Sequence, residues 1–142
     1  MLAAVAYAPA SLATYNVTGA LAALDTTNLT ISFAVPSSQK AVVQFAALMS
    51  LSSNGNALSF GLLNHSGGAQ IGNTVQAGLG LTAGWQGVIT VTWVLTGLSL
   101  GTLGLDIAGS TNAGTMAVYA KGATGNAAAA NAGPATIVVF QV

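Results

Sequence analysis

Apolar side chains recur at every second position wherever this chain is hydrophobic, and a period of two is the spacing of a β-strand with one face buried. Leu29, Ile31, Phe33 and Val35 alternate with Thr30, Ser32 and Ala34, Pro36 ends the run, and Ser37-Ser38-Gln39-Lys40 supplies a polar turn. Residues 41–51 then place Val43, Phe45, Ala47, Met49 and Leu51 on one face. Helix competes there, because Ala, Leu, Met and Gln are good helix formers. The Val-Val-Gln-Phe start and the Ser-Ser-Asn-Gly stop favour a strand. Leu58, Phe60 and Leu62 form the next alternating set after the Asn54-Gly55 turn signal.

Further strands read at residues 70–76, 86–95, 103–107, 115–120 and 135–142, with stretches rich in Gly, Asn, Ser and Thr between them. About eight or nine strands, each followed by turn chemistry, predict an antiparallel sandwich or jelly roll. The expectation is therefore all-β: an antiparallel jelly-roll sandwich of about eight strands over residues 13–142, with residues 1–12 as a short N-terminal arm. Residues 122–133 read as a long surface loop, because Gly and Asn flank their four alanines. No repeat period suggests a solenoid or propeller.

Two segments raise the question of a membrane. Residues 1–10 contain an Ala6-Tyr7-Ala8 triplet like a signal-peptidase site, but lack a basic start and a long apolar stretch. Residues 87–105 carry no charge and are long enough to span a bilayer as a helix. Val, Ile and Thr alternate through the first half, however, and Gly recurs through the second, which predicts strand, turn and strand. No membrane partner is expected.

Charge decides which chemistries remain. Only Asp25, Lys40, Asp106 and Lys121 are charged among 142 residues, with no Arg, no Glu and no Cys, while 53% of residues are hydrophobic. Nucleic-acid binding needs clustered cations, and these two lysines lie far apart in sequence. Disulfides and thiolate metal sites are excluded. His65 is the one histidine, placed in a glycine-rich turn and read as a solvated loop residue. Only Asp25 or Asp106 could orient it, and no nucleophile-elbow pattern occurs. Asp106 precedes several oxygen donors, but calcium sites draw on more than one carboxylate, so it reads as a strand end before a turn. The chain is expected not to be an enzyme, and no cofactor or metal is expected.

The aromatics divide by pattern. Phe33, Phe45, Phe60 and Trp93 fall in alternating runs and are expected in the core. Trp85 follows Thr82-Ala83-Gly84 and is the candidate for an exposed or interfacial aromatic.

The order of strand, Pro, polar turn and long apolar strand over residues 29–51 resembles phage structural proteins with a tumour-necrosis-factor-like jelly roll. Gly97-Leu98-Ser99-Leu100-Gly101-Thr102 stands where that group often has a Gly-Leu-x-Pro-Gly-Thr turn, with Leu100 in the proline position. The closing strand led by Pro134-Ala135 is similar too. The resemblance covers residues 27–142 and implies a homotrimer on a virion surface: a capsid decoration protein docked on the major capsid protein of a phage head, or a tail or head fibre module. In that setting Trp93, Tyr119, Val138 and Phe140 are expected at the trimer interface or in the core. Met1, Leu2, Val5, Tyr7 and Leu12 are expected in an arm that contacts the capsid.

Two other readings stay open. A receptor- or carbohydrate-binding module would use Trp85 and the loops at residues 64–70 and 122–133. A small outer-membrane barrel suits the strand count but not the lack of charged residues for its lumen.

Overall fold

A computed structural model of the chain describes residues 1–8, 13–53, 56–118 and 134–142. These form β1 (Ala3–Tyr7), β2 (Ala13–Tyr15), β3 (Ala22–Ala23), β4 (Thr30–Val35), β5 (Ala41–Leu51), β6 (Asn56–Asn64), β7 (Gln70–Leu81), β8 (Gln86–Leu95), β9 (Gly101–Thr111), β10 (Met116–Val118) and β11 (Ala135–Gln141). No helix occurs among the described residues.

Strand pairing reduces these eleven segments to eight positions. β8 runs along one edge of β5 for ten consecutive pairs, from Ala41 opposite Leu95 to Ser50 opposite Gln86. β10 and β11 must therefore share the other edge, β11 against residues 41–46 and β10 against residues 49–51. They occupy one strand position. β1 pairs with β11 and β2 with β10, so these two also share one position. In the second sheet β3 and β4 share the edge of β9 opposite β6. The two sheets are thus β1/β2, β11/β10, β5, β8 and β3/β4, β9, β6, β7, with every pair antiparallel. Counted along the chain as eight, the orders are 1-8-3-6 and 2-7-4-5. That is the double-sheet order of a jelly roll.

The break between β3 and β4 has a local cause. Asp25 Oδ1 accepts the N–H groups of Thr27 and Asn28, both at 2.9 Å, and Asn28 Nδ2 donates to Oδ2 at 2.9 Å. Such a side-chain turn competes with the ladder. Leu24 and Leu29 on its two sides are buried, so the interruption is fastened to the core. Burial pulls the Asp25 carboxyl upward in pKa, but the Asn28 amide and the two N–H groups outweigh it and hold the carboxyl below its ordinary value.

The core fills the space between the sheets as the alternation requires. β5 contributes Val43, Phe45, Ala47, Met49 and Leu51, β4 Ile31, Phe33 and Val35, β6 Leu58, Phe60 and Leu62, and β8 Ile89, Val91, Trp93 and Leu95. Phe45 of one sheet meets Phe60 of the other at 5.6 Å between ring centroids, tilted by 53°. The Trp93 indole N–H donates to the Asn73 carbonyl at 3.0 Å, so the ring is buried without leaving its polar atom unpaired.

Three expectations need adjustment. Residues 3–7, read as part of an arm, are a strand of the sandwich whose Val5 lies opposite Ile137, and Leu2 N–H donates to Val139 O at 2.7 Å. β2 and β3, only three and two residues long, went unread. β7 and β9 run longer than expected. Residues 87–105 cover most of β8, a turn and the first half of β9. No helix among the described residues is long and apolar enough to cross a membrane.

Candidate functional site

Pleating turns every second residue of the first sheet outward, and the register aligns these positions into rows. Val42 of β5 lies between Phe140 of β11 and Val94 of β8. Gln44 lies between Val138 and Thr92, Ala46 between Thr136 and Thr90, and Leu48 opposite Val88. Ala4 and Ala6 of β1 extend the rows beside Val138 and Thr136. Val88 is 73% exposed, Val94 67% and Phe140 40%. No charged side chain stands among these positions. A contiguous, weakly polar sheet face of this kind is an unusual surface for a protein that remains alone in water.

The interface candidates separate on this framework. Val138 and Phe140 belong to the outward rows, whereas Trp93 is 3% exposed and belongs to the core. Tyr119 and Leu12 lie outside the described residues. Met1 is 82% exposed, and Leu2, Val5 and Tyr7 pack against the core from β1 and its start. Trp85, expected to be exposed or interfacial, is half-buried against the core. Its ring lies over Gly87, where a Cβ would come within 2.5 Å of the indole. A glycine two residues on permits that packing, and nothing in the local alternation signals it.

His65 and Asp106 are joined by a side-chain hydrogen bond, with Nδ1 and Oδ1 2.7 Å apart. Asp106 is 4% exposed and lies in the middle of β9, not at a strand end. The imidazole is half-exposed and caps it from the turn after β6, held there by the His65 N–H donating to Gly104 O at 3.0 Å. A buried carboxylate needs such a partner. Ser66 Oγ donates to Asn64 Oδ1 at 2.8 Å, while Thr30 Oγ1 donates to Leu105 O at 3.2 Å and lies 3.4 Å from His65 Nδ1. The pair thus satisfies a buried acid. No group of three or more His, Asp or Glu side chains suited to a metal ion occurs among the described residues.

Tyr15 carries a buried polar atom of a different kind. Its hydroxyl has no hydrogen-bond partner among the described residues. Burial raises its pKa well above the ordinary tyrosine value, with Tyr7 and then Asp25 adding to the effect. Removing an unpaired buried hydroxyl recovers its desolvation cost, so Tyr15→Phe is expected to raise stability by about 1 kcal/mol, read as a higher urea midpoint at unchanged m.

No protein-family model and no curated protein matches the chain. Among solved structures it is similar to the VP2 subviral particle of infectious bursal disease virus, with 19% identity, 98% of this chain and 36% of that one covered, and a TM-score of 0.45. For the Gx strain of the same virus the figures are 16%, 99%, 31% and 0.43. A CBM35 from Cellvibrio japonicus is similar at 14% identity, 97% and 96% coverage and a TM-score of 0.36. The chain spans about a third of the length of the two viral chains. The jelly-roll order stands on the strand pairing alone.

Proposed function

We propose that this chain is a virion structural protein, specifically a capsid decoration protein that forms a homotrimer and docks on the outside of a phage head. The observation that carries this reading is the outward face of the first sheet: four strands wide, apolar to weakly polar, and free of charge.

A permanent, symmetric assembly needs shape-matched area more than long-range steering, because charges chiefly govern encounter rate and partner discrimination. The centre of such an interface is depleted in charged residues. Closed symmetry lets each copy cover the apolar rows of its neighbour, which a monomer must leave wet. The chain contributes packing, not chemistry, to the particle. Its His65–Asp106 pair serves the fold, and its major partners are itself and the capsid protein beneath it.

Immunogold labelling of native particles with an antibody against this chain tests the role. Gold distributed over the head is the expected result. Gold confined to tail fibres, or absent from particles, would overturn it.

A further inference from the structure

At one end of the sandwich the β6–β7 turn and the β8–β9 turn enclose a cleft of about 460 Å³, lined in part by Asn64, Gln70, Leu98, Ser99, Leu100 and Thr102. That volume lies within the roughly 300–1,000 Å³ usual for small-molecule sites. No charged side chain lines it.

Its two amides are held in opposite senses. Asn64 Oδ1 accepts from the Ser66 N–H at 3.0 Å and from Ser66 Oγ at 2.8 Å, which leaves Asn64 offering its NH2 group. Gln70 Nε2 donates to Gly72 O at 3.2 Å and to Thr74 Oγ1 at 3.1 Å, which leaves Gln70 offering its carbonyl oxygen. Neither amide can be reversed, because a backbone N–H fixes the first and a backbone carbonyl the second.

The cleft thus presents one oriented donor and one oriented acceptor beside the hydroxyls of Ser99 and Thr102. Leu100 supplies apolar surface, being 63% exposed and out of reach of the core, whereas Leu98 is 8% exposed and belongs to the core. The β8–β9 wall is shaped by Gly97 and Gly101, with φ of 67° and 123°, where a side chain would strain the backbone although space is open. Leu98 N–H fastens that wall to Gln39 O at 3.1 Å.

We infer that this cleft binds a neutral saccharide. Each ring hydroxyl both donates and accepts, so adjacent hydroxyls match the paired amides, and the C–H face of the ring matches Leu100. An anionic ligand would find no cation among the lining residues, and a wholly apolar one would leave the Asn64 NH2 group and the Gln70 carbonyl oxygen without a partner. The inference is independent of the virion role and moves any sugar site away from Trp85, whose ring is packed over Gly87.

Saturation-transfer NMR with the methyl glycosides of glucose, galactose, mannose and N-acetylglucosamine, each at about 10 mM, tests it at the weak affinities that a small site of this kind gives. Transfer to at least one glycoside is expected. Affinity should fall about tenfold or more in Gln70→Leu and again in Thr102→Val, each loss corresponding to one hydrogen bond. Both positions are exposed, so circular dichroism should stay unchanged. Absence of transfer from all four glycosides overturns the inference, and so does binding that survives both substitutions.

Discussion

Replacing Phe60 with alanine is expected to remove about 3–5 kcal/mol of stability, a large fraction of the total. Phe60 is fully buried in β6 and tilts against Phe45 of β5, so this one contact joins the two sheets near the centre of the core. Emptying such a site costs the transfer energy of the ring and the cavity left behind, about 3–5 kcal/mol. A domain holds only about 5–15 kcal/mol in total. Phe45→Ala should cost as much, and the double variant less than the sum, because the two rings share one contact. Leu79→Ala, at a 70% exposed position of β7, is the control and should shift stability by less than about 0.5 kcal/mol. Urea unfolding followed by circular dichroism measures all four. A Phe60→Ala protein as stable as the control would refute the core described here.

The second large effect concerns assembly. Val138→Lys puts one charge among the outward rows, between Gln44 and Ala4. In a separate subunit that side chain reaches water, so the fold should tolerate it. Across a packed interface the same charge is buried without a partner, at a cost of about 3–5 kcal/mol. That corresponds to a dissociation constant raised by roughly a hundredfold to several thousandfold. Val138→Thr keeps the shape and adds no charge, and should assemble nearly as the native chain does. Sedimentation velocity across a concentration series separates these outcomes. If Val138→Lys assembles like the native chain, this face is not the interface.

These two substitutions mark what was legible in the sequence. Phe60 sits in an alternating run whose parity gives its inward sense, whereas Val138 lies in the continuous apolar run Ile137-Val138-Val139-Phe140, where only the register separates interface from core. The long strands β5 and β8 were readable because one face of each must be wholly apolar. β1 to β3 were not, since short alanine-rich segments acquire strand structure only from partners far along the chain, as Ala3 does from Val139. The three split positions explain how an expectation of about eight strands meets eleven segments without a change of topology.

The candidate sites were less readable, for the same reason of distance. Asp106 looked like a strand end because its neighbours in sequence are turn formers, yet its burial is completed by His65, 41 residues away. Trp85 looked exposed because the glycine it packs on lies beyond its own turn. The paired amides of the cleft carry no sequence pattern, because Asn64 and Gln70 are oriented by turn geometry and not by spacing. Charge scarcity was plain from composition, but only the register showed that the outward rows of the first sheet hold none of it.

That charge-free face is the centre of the account, and light scattering on the purified native chain tests it most directly. Multi-angle scattering coupled to size exclusion at micromolar concentration should give three times the subunit mass of 13.8 kDa. A stable species at the mass of a single subunit would contradict the account.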